Sequence, residues 1–449
     1  MTHDSSLAPE IQRSLRIGWR EGIPSAVMLG ILEYYVVPFG LLLQASTRQI
    51  GLLVALPHLL ASCASLWAAK AMGLVGSRRA FIVRAASLQA LVLVPMAVLG
   101  WWPISAHRIA ILILLMISFR VLMSLIGPAW GSLMSDYLPP EQRGRYFGGR
   151  ARAVGIAQLT GMVVGASVLF LTKHHAPAAG FCAIFLVAAL ARNISANYLS
   201  QLTDLAPPQT TGERFTFAMF LGRFRESNFV RFTLYVAGIT CTTSIAAPYF
   251  SVFMLRDLHF NYLTYMLIHL ASVSMSLLAL PIWGRHADAV GNARVLKTTS
   301  LLVPLLPLAW IFTSHPVLLM INEGLSGFIW SGFNLCATNF VYDAVTPRKR
   351  VQCLGYFNLI NGVAIFVGTS LGGYLAEWLP PVNGSSLLTL FGLSGALRLL
   401  AHLFLERRFD EVRASSRRVS SRELFFSVVG IRPLWGEHPE SPMSSLRRD

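Results

Sequence analysis

A chain that crosses a lipid bilayer has two solutions, helices or a closed barrel, because the hydrocarbon holds no water to satisfy a bare backbone. This chain carries twelve apolar runs, each near the roughly 20 residues that a helix needs to span the membrane. They cover residues 18–44, 50–69, 81–102, 109–134, 153–171, 178–199, 232–254, 262–283, 295–313, 317–341, 354–379 and 387–404. None alternates with the two-residue period of a barrel strand, so an all-α integral membrane protein is expected. Composition points the same way. Only 13% of the 449 residues are charged and 54% are hydrophobic; soluble domains carry about 25% charge.

The basic residues set the orientation. Loops on the side of the termini hold Arg13, Arg16, Arg20, Lys70, Arg78, Arg79, Arg143, Arg145, Arg150, Arg152, Arg214, Arg223, Arg225, Arg231, Arg285, Arg294, Lys297, Arg348, Lys349 and Arg350. Loops on the other side hold Arg48, Arg108, Lys173 and Arg256. Both termini are therefore expected in the cytoplasm, in a multi-pass protein of the plasma (cell inner) membrane. The net charge of +16 is explained by these loops and by anionic headgroups, not by nucleic acid. The expected parts are a cytoplasmic start at 1–17, a six-helix bundle at 18–199 and a connector at 200–231. A second six-helix bundle follows at 232–405, then a basic cytoplasmic tail at 406–449. In the connector, 215–229 reads as an amphipathic surface helix. In the tail, polar and Arg-rich composition favours disorder around one apolar patch at 424–435. Cys63, Cys182, Cys241, Cys336 and Cys353 all fall in or beside spans and read as packing residues. The first run is too long for a cleaved signal and carries Glu33, so it reads as a retained span.

The two bundles repeat each other. Asp136, Pro140, Arg143, Gly148, Gly155, Gly161 and Gly165 recur 207 residues later as Asp343, Pro347, Arg350, Gly355, Gly362, Gly368 and Gly372. Solenoids repeat at about 20–50 residues and lack such spans. A duplicated membrane bundle is the architecture of secondary transporters, whose site lies between the repeats near the midplane.

After the eighth run stands Gly284-Arg-His-Ala-Asp288-Ala-Val-Gly291-Asn-Ala-Arg294. This resembles the signature G-x-x-x-D-x-x-G-x-[RK]-[RK] of the major facilitator superfamily. The first-half counterpart, 69–79, keeps Gly76, Arg78 and Arg79, but Ala69 and Gly73 stand where glycine and aspartate are expected. The segment from Asp136 through Pro140 and Arg143 to Gly148 is similar to the family's block between the fourth and fifth spans. The resemblance covers nearly all of 18–404. It implies twelve helices in two pseudo-symmetric halves, alternating access, and gating by Asp136, Arg143, Arg145, Asp288, Gly291, Arg294, Asp343 and Arg350. With Gly73 in place of the acid, the first-half latch is weakened or rebuilt around Asp136. The same gate residues can also be read as setting only turns and topology. Gly161-x-x-x-Gly165 and Gly368-x-x-x-Gly372 read as close-packing faces. The fifth span lacks the Gly-Pro pair of some proton-coupled exporters.

Charges at membrane depth cost about 2.5–3.5 kcal/mol on insertion scales. Glu33 in the first span and Arg120 in the fourth are therefore the leading binding or coupling pair, with a static brace as the other reading. Tyr34, Tyr35, Thr240, Thr243, Tyr249, Glu323, Asn334 and Thr338 are further lining candidates, and Thr242 and Asn339 accompany them. His58 and His269 suit proton relay or hydrogen-bonded packing. Arg84, Arg192 and Arg398 are expected to snorkel. The expected function is secondary active transport of a small organic solute, proton-coupled, by a monomer. An uncoupled facilitator, or a non-transporting receptor or scaffold on the same fold, are the alternatives. No metal-ligand spacing, nucleophile elbow or phosphate loop is present in the sequence, so neither an enzyme nor a cofactor is expected.

Overall fold

The computed structural model describes residues 9–102, 107–205, 217–222, 227–345 and 347–412. Twelve long helical segments are found there. In the first half they are α1 Pro9–Leu42, α2 Thr47–Ser65, α3 Arg78–Val98, α4 His107–Tyr137, α5 Pro140–Thr172 and α6 Pro177–Ser200. In the second half they are α7 Asn228–Asp257, α8 Tyr262–Val290, α9 Asn292–Phe312, α10 Pro316–Ala344, α11 Pro347–Trp378 and α12 Ser386–Leu405. Ten of the twelve are long and apolar enough to cross a membrane on hydropathy alone; α2 and α10 complete the set. α10 is more polar because Asn322, Glu323, Ser326, Asn334, Thr338 and Asn339 interrupt its apolar run.

Local chemistry sets the ends. Ser46 and Gln49 form a capping box at the start of α2. Pro140, Pro177, Pro316 and Pro347 each open a helix, where the missing N–H has no partner to lose. Gly76 ends the short helix Ala68–Val75 with φ of 73°, a left-handed turn that glycine tolerates. Leu114, Leu171, Leu190, Leu278, Ile321 and Phe404 lie exposed, as side chains facing lipid do.

The halves are built alike. α1 packs on α5 as α7 packs on α11, α2 on α4 as α8 on α10, and α3 on α6 as α9 on α12. Two seams join the halves, α2 along α11 and α5 along α8. Close approach depends on glycine. A Cβ at Gly30 would overlap the Gln158 carbonyl, and one at Gly161 the Val27 carbonyl. Gly368 and Gly372 face the Cys241 and Ile245 carbonyls in the same way.

Several boundaries differ from expectation. α1 begins at Pro9, nine residues before the first apolar run, because the basic stretch 9–17 continues the helix with Leu15 and Ile17 buried. The connector's surface helix is only Phe217–Gly222 among the described residues. The start of the tail is docked: Phe409 is fully buried against Phe232, Tyr235 and Phe340, and the side chain of Asn228 brackets Asp410. The apolar patch 424–435 lies outside the described residues.

Candidate functional site

Within the first half, and well inside both apolar spans, Arg120 of α4 reaches Glu33 of α1 with 2.9 Å between nitrogen and oxygen. The pair that the sequence brings forward is therefore formed. It is not sealed: the side chains are 21% and 38% accessible. His58 on α2 lies in the field of both charges, its Nδ1 2.8 Å from the Val54 carbonyl. Toward the termini, Gly127 and Gly131 share the Arg120 face of α4, and a Cβ at either would meet nothing within 4 Å. Asn334 and Thr338 are exposed on α10 at the same end, Thr338 donating to the Asn334 carbonyl at 2.9 Å.

The second half adds a cavity of about 180 Å³. Glu323, His269, Thr243, Ser326, Trp310 and Trp330 are among its walls. Arg398 also lines it, yet spends its donors on Ser394 Oγ and the Val303 and Thr243 carbonyls at 3.2–3.4 Å. Two buried polar atoms in this wall, His269 Nε2 and Thr243 Oγ1, have no hydrogen-bond partner. A wall of this kind offers a solute donors and acceptors that nothing else satisfies. Tyr34 links the two regions: it adjoins Glu33, and its ring lies 5.3 Å from that of His269.

Other expected lining residues are placed elsewhere. Tyr35 is fully buried, its hydroxyl donating to the Met162 carbonyl at 2.5 Å and its ring lying against Gly165. Tyr249 is likewise buried and donates to the Thr369 carbonyl at 2.7 Å. Both tie one helix to another within a half. Thr240 donates to Asn361 at 3.2 Å and bridges α7 to α11. Arg192 and Arg398 do not snorkel. Each is 2% exposed, and Arg192 donates to Gln89, Ser25 and Ser195. Arg84 is exposed.

At the end bearing the termini, Arg78 of α3 pairs with Asp136 of α4 at 2.7 Å. Arg78 is fully buried and also reaches Ser132 and the Leu205 carbonyl. An arginine of the first-half signature, whose own acid is absent at Gly73, is thus paired with Asp136. Arg143 caps α4 through the Ser135 and Leu138 carbonyls at 2.8 and 3.2 Å. In the second half Asp343 accepts from Asn292 at 2.8 Å, and Gly291 turns the chain with φ of 93°. Asp288 is exposed and Arg294 half-buried. The side chains of Arg145 and Arg350 lie outside the described residues.

One network is absent from the sequence reading. Glu21, buried on α1, pairs with Arg150 of α5 at 2.6 Å and accepts from Ser195 at 3.2 Å. Arg150 also donates to the Gly18 carbonyl and lies 4.2 Å over the Trp130 ring. Glu21 and Glu33 are twelve residues apart, about three and a third turns, so they stand roughly 120° apart around α1 and their spacing carries no signal that joins them.

The described hydrogen bonds that cross between the halves lie at the end away from the termini. Tyr265 donates to the Tyr34 carbonyl at 2.9 Å, and Arg256 to Thr47 Oγ1 at 2.9 Å. These two bonds tie the halves together on the side away from the termini.

Residues 232–447 match the family model of the Major Facilitator Superfamily. A multi-drug resistance efflux pump PmrA homolog of Lactococcus lactis subsp. lactis (strain IL1403) is 29% identical over 163 residues. That match covers 35% of this chain and 38% of that protein, so little more than a third of the relative is spanned. The nucleoside transporter NupG superposes with a TM-score of 0.68 at 14% identity, over 89% of this chain and 99% of its own. A D-xylose-proton symporter gives 0.67 at 13% identity, over 91% and 99%. The inward open xylose transporter XylE from E. coli gives 0.62 at 15%, over 92% and 98%. At these identities the likeness is one of fold.

Proposed function

We propose that this chain, which has this fold and whose second half matches the family's own model, is a secondary active transporter of the major facilitator superfamily. It carries a small organic solute by alternating access and couples that movement to protons. The observation that carries the reading is the Glu33–Arg120 pair, formed inside two apolar spans with side chains 38% and 21% accessible. A brace that only held helices together would be sealed. An accessible pair can be opened by a competitor, either a proton on Glu33 or a polar group of the solute on Arg120. Protonation of Glu33 releases Arg120 to bind the solute, and loss of the proton reforms the pair and expels it. Glu323, His269 and Thr243 then supply the contacts from the other half, with Tyr34 between. The relatives' names mention drugs, nucleosides and xylose, which supports small organic solutes as a class without choosing among them.

In this reading both termini are cytoplasmic, the membrane is the plasma (inner) membrane, and the described state is open inward. Arg78–Asp136 and Asn292–Asp343 hold the bases of the halves. Asp288, Gly291, Arg294, Arg143, Arg145 and Arg350 complete the inner gate, and the working unit is a monomer. A non-transporting receptor competes with this reading because Gly73 lacks the family's acid.

The test is reconstitution in liposomes holding a pH dye, with solute pools added outside. Solute-driven proton movement that Glu33→Gln abolishes and Arg120→Ala cripples is the expected result. Solute flux with no proton movement, unchanged in Glu33→Gln, would overturn coupling through Glu33 and leave a facilitator. Ligand-induced thermal stabilisation without any flux would favour the receptor.

A further inference from the structure

α1 is longer than a bilayer requires. Its 34 residues measure about 51 Å at 1.5 Å each, against about 30 Å of hydrocarbon. The other end of the helix is apolar through Phe39, Leu41 and Leu42, so the surplus lies at Pro9. Counted back from Leu42, Arg20 is about 33 Å away, at the hydrocarbon boundary. Arg16 and Arg13 follow in the headgroup layer.

The three arginines form one stripe, spaced by three and four residues, and all are exposed. The opposite side is buried through Ser14, Leu15, Ile17 and Glu21. That side is fixed to the end of α6: Ser14 Oγ donates to Thr203 Oγ1 at 2.9 Å and accepts from the Thr203 amide at 3.0 Å. Between the stripe and α6 lies a groove of about 470 Å³, lined by Pro9, Arg13, Arg16, Ile17, Arg20 and Gln201. Other arginines at this end have carboxylates, Arg78 with Asp136 and Arg150 with Glu21. Arg13, Arg16 and Arg20 have no ion pair among the described residues; of the acids on this stretch of α1, Glu10 is exposed and Glu21 is buried and paired with Arg150.

We propose that this groove binds the headgroup of an anionic phospholipid from the leaflet on the side of the termini. Guanidinium forks match phosphate oxygens. A basic pocket between spans at this depth has the composition that recognises anionic headgroups. Ile17 gives the groove an apolar floor where the acyl chains leave the headgroup, which a free phosphate would not need. Gln201 can hydrogen-bond a headgroup hydroxyl.

The full-length protein, delipidated in mild detergent, would be titrated with phosphatidylglycerol and read by native mass spectrometry. The expected result is an adduct that phosphatidylcholine does not form and inorganic phosphate does not displace. The triple variant Arg13→Gln, Arg16→Gln, Arg20→Gln should weaken it on the order of a hundredfold, at roughly 1 kcal/mol per arginine. Equal binding by parent and variant would overturn the proposal, as would displacement by inorganic phosphate. Because removing these charges can disturb insertion, the parent protein would also be crosslinked with a photoactivatable phosphatidylglycerol. Labelling within 9–20 or at Gln201 supports the site; labelling confined to other basic loops sinks it.

Discussion

Glu21–Arg150 and Glu33–Arg120 are the same chemistry on the same helix, and their surroundings assign them different work. In the first pair the side chains are 5% and 19% accessible; in the second, 38% and 21%. Removing one partner of a buried pair strands the other charge and costs about 3–5 kcal/mol, whereas an accessible pair contributes about 0–1 kcal/mol. Arg150→Ala should therefore lower the thermal midpoint of the purified protein strongly. Arg120→Ala should leave it within a few degrees of the parent while removing transport. A large drop for Arg120→Ala would make the Glu33 pair a brace, against the proposed coupling role. At this scale the sequence exposes charge better than orientation. Glu33 and Arg120 stand out as ions inside apolar runs. Tyr35 stands two residues from Glu33 in the chain and is rotated from it by about 200°, so it enters the core instead of the cavity. Glu21 hides because it stands near the basic start of α1, where a charge looks like an ordinary helix end.

Between helices, the repeat has two registers. Tyr35 and Tyr249 are 214 residues apart, and their acceptors Met162 and Thr369 are 207 apart. At the base of each half, Asp204 accepts from the Arg79 amide and Glu411 from the Ala293 amide. Those donors again differ by 214 and the acids by 207. The seven-residue difference falls before Asp136, which is why an ungapped comparison of the sequence finds only the later spans. It also explains why the carboxylate caps at the start of α3 and α9 were illegible: each lies more than 110 residues from the helix it caps. The glycines of the repeated block are not equivalent either. Gly161 lies against the Val27 carbonyl, whereas a Cβ added at Gly148 would meet nothing within 4 Å. Gly161→Val should destabilise by about 1–3 kcal/mol or more, because backbone cannot give way as a side chain would. Gly148→Ala should match the parent or exceed it slightly through helix propensity. Thermal melts of the two variants decide this, and equal melts would mean that α1 and α5 are not in close contact.

Across the whole molecule, helix count and the division into halves follow from apolar runs and repeat, since lipid leaves the backbone few options. Which helices touch does not follow, because an apolar face that meets lipid and one that meets another helix are written in the same residues. Nor does the sequence say at which end the halves are tied together; that depends on side chains more than 200 residues apart, such as Thr47 and Arg256. Those contacts make the rocking of the halves testable. In a background without the five native cysteines, Thr47→Cys and Arg256→Cys can be joined by a short bifunctional thiol reagent. If the halves must part at this end in every cycle, the crosslinked protein should lose solute flux and still bind solute from the side of the termini. A cleavable reagent should return flux when cut. Flux that continues through the crosslinked protein would mean that solute passes without separation of Thr47 from Arg256, and alternating access by rocking of the two halves would fail for this chain.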